Sequence, residues 1–187
     1  MERWELGKTI DLLKVAYNYE ESGKHPFLLT AKIDTRCKEG KISTRIGLKR
    51  DATIFDDTSN IYNIVSDLEI LPDCILIDEA QFLSKKHVEQ LSDIVDYLNV
   101  PVICYGLRCD FRQEFFIGSK HLLEIADKIE EIKTICKCGR KATANMRIVN
   151  GEVITNGEKV MIGGNESYVA LCRKCYKKAV KDGYLVK

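Results

Sequence analysis

Cys74-Ile75-Leu76-Ile77-Asp78-Glu79 is an apolar run that ends abruptly in two acids. Four consecutive apolar residues without polar alternation suit a strand buried on both faces, as in a parallel sheet. Working outward, Lys85 to Leu98 places Val88, Leu91, Ile94, Val95 and Leu98 at helical spacing, and Pro101 to Tyr105 is a further apolar strand. Upstream, Asp57 to Glu69 puts Ile61, Ile64, Val65 and Leu68 on one helical face, behind Asp57, Thr58 and Ser59 as candidate caps. Phe27 to Ile33 reads as a strand, and Thr9 to Glu21 as a helix stopped by Gly23. Short apolar strands separated by amphipathic helices predict an α/β unit, a parallel sheet covered on both faces, over residues 1–131.

From Ile132 onward the texture changes. Short β-like pieces (Ala144 to Val149, Val153-Ile154, Lys159 to Ile162, Tyr168 to Leu171) alternate with turns such as Asn150-Gly151 and Asn156-Gly157. A helix is expected near Arg173 to Lys181. Cys136-Lys137-Cys138 and Cys172-Arg173-Lys174-Cys175 bracket the region, with 33 residues between the pairs. Two close cysteine pairs can supply four thiolates to a tetrahedral zinc at about 2.3 Å, leaving no open position, so such a site is structural. Four buried thiols or a redox pair are the plainer alternatives. Residues 132–187 are therefore expected to form a small zinc-pinned domain. Cys37, Cys74, Cys104 and Cys109 stand singly and read as core or near-surface residues; His25, His87 and His121 fit no ligand pattern.

Gly7-Lys8-Thr9 before an amphipathic helix is the closing half of a phosphate-binding loop. In that loop the Lys reaches the outer phosphates and the Thr hydroxyl meets magnesium. Asp78-Glu79 strengthens this reading, because an apolar strand delivering an acidic pair is the Walker B pattern, with Asp78 toward the metal and Glu79 toward the nucleophile. A helix cap followed by a first-turn acid is the alternative for that pair. The full loop has a Gly five residues before Gly7, where Glu2 stands, and a strand ahead of it, where only Met1 to Leu6 are available. The phosphate cradle is thus expected to be incomplete, and an upstream-extended chain to be more stable.

The chain has 187 residues, and its 29 Lys and Arg nearly balance 28 Asp and Glu. That balance disfavours a protein built mainly to hold nucleic acid. No apolar run approaches the ~20 residues of a membrane span, and Met1 to Glu5 lack the apolar stretch of a signal peptide. A cytoplasmic protein without membrane or nucleic-acid partners is expected.

Gly-Lys-Thr, Asp34-Thr35-Arg36, Ile77-Asp78-Glu79-Ala80-Gln81-Phe82, Gly106-Leu107 with Asp110-Phe111-Arg112, and the paired cysteines follow in the order seen in the type II thymidine kinases, which the chain resembles from Gly7 to about Tyr176. The resemblance implies a RecA-like P-loop domain, a zinc-held lasso domain and a homotetramer that phosphorylates thymidine, and deoxyuridine, with ATP and Mg2+. It implies Glu79 as the general base, and Gly7, Lys8, Thr9, Asp78, Glu79, Ala80, Gln81, Asp34 and Arg36 at ATP and magnesium. It assigns Phe82, Leu107, Phe111 and Phe116 to the thymine pocket. Asn145, Tyr168 and the Gly163-Gly164 turn fall to the lasso. The plainer readings are core aromatics for the phenylalanines and a surface ion pair for Asp34 and Arg36. Two positions depart from the family pattern: Arg45-Ile46, where His and Asp are usual, and Cys37 in place of an aromatic. A catalytically impaired homologue that binds nucleosides, or serves in an assembly, is the alternative to an active kinase.

Overall fold

The computed structural model describes residues 5–32, 40–44, 47–159 and 166–184. Asp34, Arg36, Cys37, Arg45, Ile46, Gly163 and Gly164, and most of the strand expected over 159–162, lie outside the described residues. Those described divide into two compact units. One holds Lys8–Arg108 and Phe116–Lys128; the other holds Cys109–Phe115 and the chain from Ile129, with the first turn of the first helix counted to it.

In the first unit, α1 (Glu5–Glu21) precedes β1 (Pro26–Ala31). The hairpin strands β2 (Lys41–Ser43) and β3 (Lys49–Asp51) follow, then β4 (Thr53–Phe55), α2 (Ile61–Ser66) and β5 (Cys74–Asp78). A 3-10 turn at Ala80–Phe82, α3 (Lys85–Leu98), β6 (Val102–Cys104) and α4 (Ile117–Ile125) complete it. Strands β4, β1, β5 and β6 form a parallel sheet in that order, with Leu29 beside Ile77 and Thr30 beside Asp78. Successive strand residues face opposite sides, and both sides are covered. Leu29, Ala31, Ile75 and Ile77 pack with Ile61 and Val65 of α2 and with Val88, Leu91 and Ile94 of α3. Leu28, Cys74 and Leu76 pack on the other side with Leu12, Leu13 and Ala16 of α1. All five residues of β5 are buried, as its unalternated apolar sequence demands.

Helix α3 matches the expected span, and its start is doubly capped. Ser84 accepts the His87 N–H while the His87 ring accepts the Ser84 N–H. His87 thus stands as a buried cap whose other ring nitrogen meets the Ser59 carbonyl at 3.2 Å. Helix α2 is shorter than the Asp57–Glu69 expectation. Its cap is Asn60, not Asp57, Thr58 or Ser59, because Thr58 and Ser59 are bonded back onto Asp56 and close a turn before the helix. Helix α1 begins at Glu5, four residues ahead of the expected Thr9. Helix α4 was not expected at all.

The second unit contains the hairpin β7 (Thr134–Ile135) with β8 (Lys141–Ala142), and a three-stranded antiparallel sheet. That sheet runs β10 (Glu152–Ile154), β9 (Ala144–Val149), β11 (Glu166–Leu171), and α5 (Arg173–Asp182) packs on it. Asn150 and Gly151 both adopt positive φ, 50° and 89°, which makes the two-residue turn that joins β9 to β10. Ala144, Met146 and Ile148 face a small core with Leu171, Tyr176 and Ala179. Among the described residues no helix is long and apolar enough to cross a membrane.

Candidate active site and metal centre

Strand β5 carries its two acids to the carboxyl edge of the parallel sheet, the usual place for ligands in open α/β folds. Asp78 is 5 % exposed, and its Oδ1 accepts the Glu79 N–H at 3.0 Å. The Thr9 hydroxyl donates to Asp78 Oδ2 at 3.3 Å across 69 residues of chain. Burial, and next the charge of Glu79, push the Asp78 carboxyl up to about 6. Lys8, also buried, stands 3.7 Å from Glu79 Oε2. Lys8 and Thr9 of α1 and the end of β5 therefore converge as one buried hydroxyl, one ammonium and two carboxylates. Thr9 and Asp78 present hard oxygen donors of the kind Mg2+ takes, and two acids beside one lysine favour an added cation.

Glu79 is held in an unusual way. It takes a left-handed backbone, φ 53° and ψ 39°, a conformation that costs a non-glycine residue of order 1–3 kcal/mol. Its Oε2 accepts the Gln81 side-chain amide at 2.5 Å. The Gln81 Oε1 accepts the Leu107 N–H at 3.0 Å, so Gln81 bridges the loop after β6 to the acid. Gly106 makes room for that bridge: a Cβ there would lie 3.0 Å from the Gln81 backbone nitrogen and 3.1 Å from the Gln81 Oε1. The 3-10 turn that follows Glu79 is packed against Gly118 of α4, where a Cβ would meet the Leu83, Ala80 and Gln81 carbonyls at 2.5, 2.9 and 3.0 Å. Sequence reasoning named Gly106 within a motif but not the room it makes for Gln81, and it missed Gly118 and the Gln81 bridge; the positive φ of a non-glycine residue in the acidic pair is the structural signal.

Phe82 and Phe116 meet edge to face in the first unit, with ring centroids 5.9 Å apart, and Leu107 is half-buried at the end of the same loop. Gly7 lies inside α1, and Ala80 is fully buried in the 3-10 turn. In the second unit Asn145 and Tyr168 share one face of the sheet, because Tyr168 pairs with Arg147 and Ala170 with Asn145 in β9. The Phe111 ring lies over Arg147 on that face, with the guanidinium 5.2 Å from the ring centroid.

The four cysteines converge as well. The Sγ atoms of Cys136, Cys138, Cys172 and Cys175 all lie within 4.8 Å of one another. Cys138 is 3.6 Å from both Cys136 and Cys172, close to the ~3.8 Å edge that tetrahedral thiolates at about 2.3 Å from zinc would have. The Cys175 backbone N–H donates to Cys172 Sγ, the main reason this thiol is held down to about 6. The neighbouring thiol of Cys138, then that of Cys172, push Cys175 up to about 12. Four thiolates this close repel one another, and a dication removes that conflict. The cluster can hold a zinc ion.

A family model described as "Thymidine kinase" matches residues 5–176. Among similar proteins, a thymidine kinase of Lactococcus lactis subsp. lactis is 52% identical over 173 residues, covering 92% of each chain. One of Streptococcus gordonii is 54% identical, covering 92% of this chain and 91% of its own, and one of Listeria monocytogenes serotype 4b is 56% identical, covering 91% and 90%. With a family model spanning nearly its whole length and relatives at more than half identity, the chain belongs to the thymidine kinase family.

Proposed function

We propose that this protein transfers the γ-phosphoryl group of ATP to the 5′-hydroxyl of thymidine, and of deoxyuridine by the same route. The products are ADP and the nucleoside monophosphate, a step of nucleotide salvage for DNA synthesis. The observation that carries the reading is the burial of Lys8 and Thr9 against Asp78 and Glu79 at the sheet edge. Phosphoryl transfer depends mainly on positioning and charge stabilisation, and these four groups supply both.

In this reading Glu79 takes the 5′-hydroxyl proton as the oxygen attacks the γ-phosphorus and the bond to the ADP oxygen breaks. Lys8 turns from Glu79 to the outer phosphates when ATP is bound, which frees the carboxylate for the hydroxyl. Gly7, Ala80 and Gln81 belong to the ATP side of the site, with Asp34 and Arg36 assigned there by the family pattern. Thr9 and Asp78 would hold Mg2+, which neutralises phosphate charge. Phe82, Leu107 and Phe116 are the apolar nucleoside contacts of the first unit. Phe111, Asn145, Tyr168 and the Gly163-Gly164 turn are those of the second. Zinc on Cys136, Cys138, Cys172 and Cys175 is structural. The protein acts in the cytoplasm as a homotetramer, the arrangement of the family; exposed Ile70 and Tyr97 suit burial between subunits.

The test is incubation of purified protein with ATP, Mg2+ and thymidine, followed by separation of the nucleotides. Thymidine monophosphate formed in step with ADP supports the reading. Thymidine left unphosphorylated by folded, zinc-loaded protein overturns it.

A further inference from the structure

We propose that Arg147 and Tyr176 are positioning residues for thymidine, which act by fixing Phe111 against the β9–β11 sheet. The inference rests on the reading of Phe111 as a nucleoside contact. Arg147 is 2 % exposed, although it sits on the face of β9 opposite the small core. A buried guanidinium is costly to desolvate, and an apolar side chain of similar size often stabilises a fold better. What Arg147 does with that position is specific. Its guanidinium covers the Phe111 ring at 5.2 Å, and its Nη1 donates to the Glu158 carbonyl at 3.1 Å. It therefore joins the 109–115 loop to the segment that follows β10.

Tyr176 secures the same loop through its backbone. Its buried hydroxyl donates to the Phe111 carbonyl at 2.7 Å, across 65 residues of chain. The Tyr176 N–H is bonded to the Cys172 carbonyl, so the tyrosine projects from the helical turn that also carries Cys175. Lys159 adds a third tie, donating to the Phe115 carbonyl at 3.1 Å. Arg147 thus holds the ring of Phe111 on the sheet face that also carries Asn145 and Tyr168, while Tyr176, packed in the small core, holds its backbone. Phe111 is itself 1 % exposed, with the Arg112 guanidinium also over its ring at 5.7 Å, so it is a fixed wall rather than an open platform, and its ordering cost is met before the nucleoside arrives.

The experiment compares Tyr176→Phe and Arg147→Lys, each alone and in combination with Phe111→Ala, in the full zinc-loaded protein. Tyr176→Phe removes only the hydroxyl, and Arg147→Lys keeps the charge but removes the guanidinium plane that covers the Phe111 ring. Steady-state KM and kcat are measured separately for thymidine and ATP, with zinc content and melting temperature beside them. Each variant is expected to raise the thymidine KM about three- to tenfold, the loss of one buried hydrogen bond or cation–ring contact. The ATP KM and zinc content should stay within about twofold. Combined with Phe111→Ala, either change should add little, because its target is gone. An unchanged thymidine KM in both variants overturns the proposal, as does an effect that persists in full without the Phe111 ring. If Phe111→Ala itself leaves the thymidine KM unaltered, the assignment of Phe111 fails and the positioning role falls with it.

Discussion

Gly118→Ala offers a sharp perturbation of the site from outside it. Gly118 lies in α4, where alanine is ordinarily preferred to glycine by about 1 kcal/mol. Propensity alone therefore predicts a more stable protein. The contacts predict the reverse. A Cβ at this position would stand 2.5 Å from the Leu83 carbonyl oxygen, whereas ordinary contact begins near 3.4 Å, so helix and turn must separate by roughly 0.9 Å. The obstructing atoms are backbone carbonyls of residues 80–83, which cannot rotate away as a side-chain tip could. With three backbone oxygens at 3.0 Å or less, the cost falls in the upper part of the about 1–3 kcal/mol range for overpacking, a net loss of about 1–2 kcal/mol after the propensity gain. For a chain of this size the melting temperature should fall by about 2–8 °C. The same movement reaches Glu79, the residue immediately before the turn, and a displacement near 1 Å at a catalytic group can cost about 100-fold in rate. The expected result is a kcat lowered about 10- to 100-fold, with the ATP KM and zinc content nearly unchanged. Thermal unfolding by circular dichroism and thymidine-dependent ADP release measure the two halves. A variant that melts higher and turns over normally would refute the claim that Gly118 seats the Glu79 turn.

Two further outcomes are expected. Purified protein should contain one zinc per chain, and chelation should unfold the second unit and expose four additional thiols to titration; burial keeps Cys74 and Cys104, pushed up to about 11 and about 12, slow throughout. Zinc-free native protein with all four thiols already reactive would contradict this. Asp78→Asn should abolish phosphoryl transfer yet stabilise the metal-free protein. The folded carboxyl, at about 6, lies above its ordinary 3.8, so its contribution is fully favourable below about pH 4 and is lost as pH rises through 6. At pH 8 the variant should therefore gain about 1–3 kcal/mol over the parent, shrinking toward pH 4, as read from denaturant unfolding at both values. A gap that does not change with pH would remove burial of the Asp78 charge as its source.

The features legible in the sequence are those written in local pattern. Helix α3 has apolar residues at helical spacing after Ser84 and appears over the expected span. Strand β5 is read from an apolar run, and the cysteine cluster from two short spacings. Helix α4 escaped because its pattern is inverted. It buries Gly118 and Ser119 against the 3-10 turn while Ile117 and Ile125 are 66 % and 53 % exposed, so periodicity pointed away from its packed face. Arg147 is concealed for a related reason. Alternation in β9 assigns it to an open face, whereas the distant 109–115 loop and the Glu158 carbonyl meet it there. The Asn60 cap was missed because Asp56, Thr58 and Ser59, each a good capping type, bond to one another instead. At the active site the identities of Lys8, Thr9, Asp78 and Glu79 could be read, but the left-handed backbone of Glu79 and its Gln81 tether depend on packing from two other elements.

The most direct test of the central claim replaces Glu79 by glutamine and measures phosphate transfer from ATP to thymidine beside the parent chain. Glutamine keeps the shape but cannot accept the hydroxyl proton at neutral pH. The account predicts thymidine monophosphate from the parent, and a variant slowed by about 10²- to 10⁴-fold that still binds thymidine and keeps its zinc. Equal turnover by the two proteins would contradict the assignment of Glu79 as the general base and the mechanism built on it.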